Sequence, residues 1–97
     1  MNIELKKFGT ALISRQAGKE AFAAFQSSLR DIPERDDVVA DFSGVITFSP
    51  SWGAEFLTPL VQLYNGRFKL ISTKNPSVKA TLEILEKSNN IKFNVVE

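Results

Sequence analysis

Apolar and polar residues alternate at Ile3, Glu4, Leu5 and Lys6, so the stretch from Ile3 to Phe8 reads as a half-buried strand. Gly9-Thr10 is a turn signal, and Ala11-Leu12-Ile13 a short second strand that could close a hairpin. Ser14 suits a helix N-cap, because its hydroxyl can accept from a backbone N–H that has no helical partner. From there to about Leu29 the apolar residues Ala21, Phe22, Phe25 and Leu29 fall on one helical stripe. Pro33 and the charges around it end that helix, and Arg30 to Asp37 reads as a solvated polar loop.

Val38-Val39-Ala40-Asp41-Phe42 is a nearly unbroken apolar run rich in β-branched residues, the pattern of a strand buried on both faces of a parallel sheet. Asp41 lies near its carboxyl end, where open α/β sheets tend to build sites. After a Ser43-Gly44 turn, Val45 to Phe48 is extended or loop. Ser49-Pro50 then starts a helix: Ser can cap the first turn, and Pro takes a position where a missing N–H costs nothing. Trp52, Phe56, Leu60 and Tyr64, with Leu57 and Leu63 beside them, form its broad apolar face. Pro59 lies inside, and its lost hydrogen bond predicts a kink or break between Glu55 and Pro59. Gly66 is the expected stop.

Arg67 to Thr73 reads as another strand. Asn75-Pro76 repeats the device of a polar cap followed by proline, ahead of a helix with Val78, Leu82 and Leu85 on its stripe. Lys79, Glu83 and Lys87 are spaced for ion pairs along it, and Asn89-Asn90 ends it. Ile91 to Val96 is the last strand. The order ββαβαβαβ predicts one α/β domain over residues 1–97, a mostly parallel four- to five-stranded sheet covered by about three helices. No repeat, linker or low-complexity segment interrupts it.

Composition narrows the chemistry. The 97 residues include no Cys and no His, which excludes disulfides, thiolate nucleophiles, zinc-thiolate sites and imidazole bases. Carboxylate, lysine, arginine and hydroxyl remain. Net charge is +1, distributed as +2 over residues 1–29, −4 over 30–66 and +3 over 67–97, without the clustered basic stripe that nucleic acid requires. The first residues lack the apolar core of a signal peptide and no window could span a bilayer, so the expectation is a cytoplasmic protein with no membrane or nucleic-acid partner.

Three strings, with a fourth near the N-terminus, resemble STAS domains, the module of anti-sigma-factor antagonists and of sulfate-transporter tails, and in particular a bacterial STAS-like group. Val38-Val39-Ala40-Asp41-Phe42-Ser43-Gly44-Val45 is similar to the strand, Asp and turn that precede the functional loop of that family. Phe48-Ser49-Pro50-Ser51-Trp52-Gly53-Ala54-Glu55-Phe56-Leu57 stands where antagonists normally carry Asp-Ser-Ser/Thr-Gly and the start of a helix. Asn75-Pro76-Ser77-Val78-Lys79 resembles the family's C-terminal third, and Phe8 to Arg15 the N-terminal stretch of the STAS-like group. The resemblance implies a regulatory protein-interaction module without catalysis or cofactor. Its partner would be a GHKL-type ATPase or anti-sigma-like kinase. By position the phosphoacceptor falls on Ser51. Ser49 and Pro50 replace the usual acidic residue and its neighbour, and Trp52 replaces the glycine.

Ser51 would lie in the first turn of a helix, where free N–H groups and the macrodipole stabilise a phosphate; a helix-start residue with no regulatory role explains it equally well. Ser49 reads as a structural cap. Trp52 is expected partly exposed, as an interaction anchor, and Phe48 buried; the candidate partner-binding residues are Ser49, Trp52, Glu55, Asp41 and Arg15. Arg15 sits against the preference of a helix N-terminus for anions, which calls for a partner such as Asp41 or an external anion, or else for plain exposure. The alternative class is a small-molecule, anion-binding or enzymatic domain using Arg15, Asp41 and Ser51.

Overall fold

The computed structural model describes residues 1–33 and 35–97; Glu34, within the expected polar loop, lies outside the described residues. The strands are β1 (Asn2–Glu4), β2 (Ala11–Leu12), β3 (Val38–Asp41), β4 (Thr47–Phe48), β5 (Phe68–Ile71) and β6 (Asn94–Val96). The helices are α1 (Arg15–Leu29), α2 (Pro50–Tyr64) and α3 (Pro76–Asn89). A four-stranded sheet has the order β1-β3-β5-β6, and β2 pairs with β4 in a separate two-stranded sheet. Every pairing in both is parallel.

Each helix starts where the sequence places a cap. Ser14 Oγ accepts from Ala17 N–H at 3.1 Å, Ser49 Oγ from Trp52 N–H at 3.2 Å, and Asn75 Oδ1 from the N–H groups of Ser77 and Val78 at 2.8 and 3.2 Å. Asn90, at φ 51°, closes α3 in the left-handed conformation.

Several local expectations are corrected by tertiary packing. The first strand ends at Glu4, and Leu5–Phe8 forms a 3-10 turn. Three residues per turn aligns Leu5 with Phe8, so both face the core, which continued alternation would prevent. No hairpin forms between β1 and β2: β1 pairs with β3, and β2 runs beside β4 with Ala11 opposite Thr47 and Leu12 opposite Phe48. Pro59 does not break α2, which continues from Pro50 to Tyr64. Phe56, Leu57, Leu60 and Val61 are buried on both sides of the proline, and that burial holds the axis together despite the lost hydrogen bond. Asn65, at φ 50°, makes the turn out of α2 that Gly66 was expected to make. The carboxylate of Glu83 and the ammonium groups of Lys79 and Lys87 form no ion pair among the described residues.

β3 is buried on one face only. Val38 and Ala40 are fully enclosed while Val39 and Asp41 stay half-exposed, and β5 repeats the pattern with Phe68 and Leu70 against Lys69 and Ile71. The strand order explains it. Every crossover steps in the same direction across the sheet, so crossovers of one hand stack all the helices on one face and leave the other open. The core lies between that face and the helices, with Trp52, Phe48, Phe56 and Phe68 its largest enclosed side chains.

Candidate functional site

The two-stranded sheet β2–β4 organises the region around the start of α2. Leu12 opposes Phe48, and two residues beyond each, Ser14 caps α1 while Pro50 opens α2. Parallel pairing therefore seats two helix N-termini side by side, and with them two positive dipole ends. Ser49 N–H donates to Leu12 C=O at 2.9 Å, and Ser49 Oγ donates to Ile13 C=O while capping α2.

The far side of β4 is fixed to the start of α3. Ser77 Oγ accepts from Phe48 N–H at 3.0 Å and donates to Phe48 C=O at 3.2 Å, and Thr81 Oγ1 donates to the same carbonyl at 2.6 Å. Asn75 Nδ2 donates to the carbonyls of Val45 and Ile46 at 2.8 and 3.1 Å. The loop that leads into α2 is thus bound to β2 on one side and to α3 on the other. It is a rigid platform.

Ser51, the second residue of α2, is half-exposed, and its hydroxyl and N–H engage no partner among the described residues. Glu55, one turn later, accepts from Arg15 Nη1 at 3.1 Å. The partner of Arg15 is therefore Glu55 of α2, and the ion pair spans the two helices. It also explains a cation at the start of α1, since the carboxylate is supplied from the neighbouring helix.

Trp52 is enclosed, with 1% of its surface exposed, which corrects the expectation of a partly exposed anchor. Its ring stacks on Phe56 at 4.9 Å between centroids and meets Phe48 edge-on at 5.9 Å. Three positions after the Ser49 cap, the indole packs among Phe8, Phe48 and Phe56, with Gly18 of α1 lying against its backbone. Phe48 is buried as expected.

Asp41 is committed to its own turn. Its Oδ1 accepts from Ser43 N–H at 2.9 Å and from Ser43 Oγ at 2.7 Å. Those bonds, the backbone one foremost, together with the nearby Lys6 ammonium, outweigh desolvation and hold the carboxyl below its ordinary pKa. The side-chain contacts of Arg15, Asp41 and Ser51 do not converge: Arg15 faces Glu55, Asp41 faces Ser43, and the Ser51 hydroxyl has no partner among the described residues. The main sheet also runs without a reversal of strand order, so it has no switch-point crevice of the kind in which α/β sheets hold ligands. Among the described residues no group of three or more Asp or Glu side chains could hold a metal ion, and no helix is long and apolar enough to cross a membrane.

Two residues beside the platform carry a signal that the sequence reading missed. Ile13 and Ile46 are 54% and 69% exposed, both on segments of the β2–β4 ribbon. No charged residue occurs from Phe8 to Ser14 or from Phe42 to Ala54, and the pairing of β2 with β4 brings these two uncharged stretches together. Ile46 lies at the start of the ribbon, its N–H on Thr10 C=O, and Ile13 at its other end beside Ser49. The two charge gaps were visible in the sequence; their adjacency was not.

Comparison of the chain with protein-family models, with curated proteins and with solved structures finds no match.

Proposed function

We propose that this chain is a non-catalytic protein-interaction module of STAS-like type, which docks a partner protein through the β2–β4 ribbon and the start of α2. Ser51 is its regulatory phosphoacceptor. The observation that carries this reading is the seating of two helix N-termini side by side, with an unpartnered, half-exposed hydroxyl on one of them. A phosphate there gains the dipoles of both helices and the unpaired Ser51 N–H. It also brings nearly two negative charges beside two stretches that carry none, enough to change what that surface accepts.

The order of elements and the three family-like strings support the STAS-like type, and Ile13 and Ile46 supply the apolar contacts of docking. The kind of partner follows from the same resemblance: a GHKL-type ATPase or anti-sigma-like kinase in the cytoplasm of a bacterium. The phosphoryl chemistry belongs to that partner, as the same resemblance implies.

The experiment is titration of the purified chain with GHKL-type ATPases of its own cell, followed by calorimetry and by intact-mass analysis after addition of ATP. One phosphate on the wild type and none on Ser51→Ala is expected. Ser51→Asp and Ile46→Glu, both folded, are expected to lose at least tenfold in affinity. Absence of binding by every such ATPase, or binding that neither substitution changes, overturns the reading.

A further inference from the structure

The four-stranded sheet ends in two open edges, and their hydrogen-bond phases match. On β1 the bonds to β3 are carried by Met1 C=O, which accepts from Val39 N–H at 2.8 Å, and by Ile3. Alternation then turns the N–H and C=O of Asn2 and Glu4 outward. On β6, Val96 C=O accepts from Ser72 N–H at 2.7 Å, so Val95 is the residue whose N–H and C=O face away from the sheet. The register places Ile3, Ala40, Leu70 and Val95 in one row across the sheet.

The side chains match as well. Beside β1, on the helix face, lies a cavity of about 340 Å³ lined by Ile3, Glu4, Lys7, Phe8, Phe25 and Ser28. Val95 belongs to the same face by its register with the buried Leu70, yet is 54% exposed at the edge of the sheet.

We propose that the β1 edge receives β6 of a second copy of this chain, added parallel with Val95 of that copy beside Ile3. Val95 N–H then donates to Asn2 C=O, and Glu4 N–H donates to Val95 C=O. The valine side chain enters the cavity over Phe8 and Phe25. Asn94 falls beside Asn2, and Glu97, one row beyond the end of β1, comes beside the basic pair Lys6 and Lys7. The junction repeats the parallel pairing and the sense of advance of every junction inside the chain, so the helix layer continues across it. Because the two surfaces differ, the contact is heterologous, and it propagates instead of closing into a two-fold dimer. This inference stands apart from the docking platform, and either can fail alone.

Sedimentation of the wild type from micromolar to millimolar concentration tests it. The expected average mass climbs steadily above 10.8 kDa with no plateau at the dimer. Glu4→Pro removes the outward N–H and Val95→Lys removes the apolar plug; each is expected to stay monomeric with an unchanged circular dichroism spectrum. Mixed together, they retain one good edge each and are expected to form a single heterodimer and nothing larger. Ser28→Trp, which fills the cavity without touching the sheet, is expected to be monomeric and serves if Glu4→Pro does not fold. A wild type that stays monomeric throughout overturns the proposal. So does a closed dimer, association that survives Val95→Lys and Ser28→Trp, or an edge that takes an unrelated extended peptide but no second copy.

Discussion

Gly18 of α1 rides directly on the backbone of Trp52 in α2: a Cβ at position 18 would stand 2.6 Å from the Trp52 carbonyl oxygen and 3.0 Å from its Cα. The two helices touch main chain to main chain at this point. That closeness encloses the indole and sets Arg15, one turn before Gly18, over Glu55, one turn after Trp52. The platform at the start of α2 is therefore fixed by a missing side chain on another helix.

Gly18→Ala tests this relationship. Alanine would gain about 1 kcal/mol in helix propensity, but the neighbouring atoms are backbone and cannot rotate away. A net loss of about 2 kcal/mol is expected from overpacking. Urea unfolding checks it, and a gain in stability would show that α1 and α2 separate easily.

Asn75 joins two functions in one side chain. Its Oδ1 caps α3 while its Nδ2 holds the carbonyls of Val45 and Ile46. Asn75→Ala is expected to cost about 2 kcal/mol, the sum of a cap and of carbonyls left without a donor. Asn75→Asp keeps the cap yet faces those carbonyls with a carboxylate, so it is expected to be no more stable than the alanine variant. Chemical denaturation of both variants separates the cap from the loop tether.

Thr58 Oγ1 is a buried hydroxyl without a partner among the described residues. Replacing it with a methyl of similar shape removes the desolvation cost and keeps the packing. Thr58→Val is expected to stabilise the protein by about 1 kcal/mol, read as a higher midpoint in a thermal melt. A lower midpoint would mean that the hydroxyl is satisfied in solution.

Acid sensitivity should carry a contribution from Asp41. Its folded pKa is depressed, chiefly by the Ser43 backbone N–H, then by the Ser43 hydroxyl and by Lys6. The stabilisation is present above the ordinary carboxylate pKa of about 3.9 and is lost as pH falls through the lower folded value. Asp41→Asn can still accept from Ser43 but has no charge to titrate. Thermal melts from neutral pH to pH about 2 should therefore show a shallower acid limb for Asp41→Asn than for the wild type, and coincident limbs would remove Asp41 from the account.

Much of this fold was legible because its signals are local. Ser14, Ser49-Pro50 and Asn75-Pro76 mark helix starts through atoms within three residues of each cap, and the caps form as the sequence predicts. Pro59 misled because its cost is local while the burial that outweighs it is not. Leu5 and Phe8 misled because the alternation from Ile3 to Lys6 is too short to separate a strand from a 3-10 turn, whose period of three joins Leu5 to Phe8. The candidate site was half legible: Ser51 could be placed on a helix start, but the enclosure of Trp52 depends on Gly18, and the partner of Arg15 lies 40 residues away.

The helix starts, a mostly parallel α/β class and a chemistry confined to carboxylate, lysine, arginine and hydroxyl can be read from residue order, because caps, periodicity and composition act within a few residues. Long-range packing is what pairs β2 with β4, puts all helices on one face of the sheet, and brings two uncharged stretches and two helix N-termini together beside Ser51. Strand pairing is a choice among distant segments of similar local propensity. It is settled by which arrangement buries Phe48, Trp52 and Phe56 together, a free energy that no single segment contains.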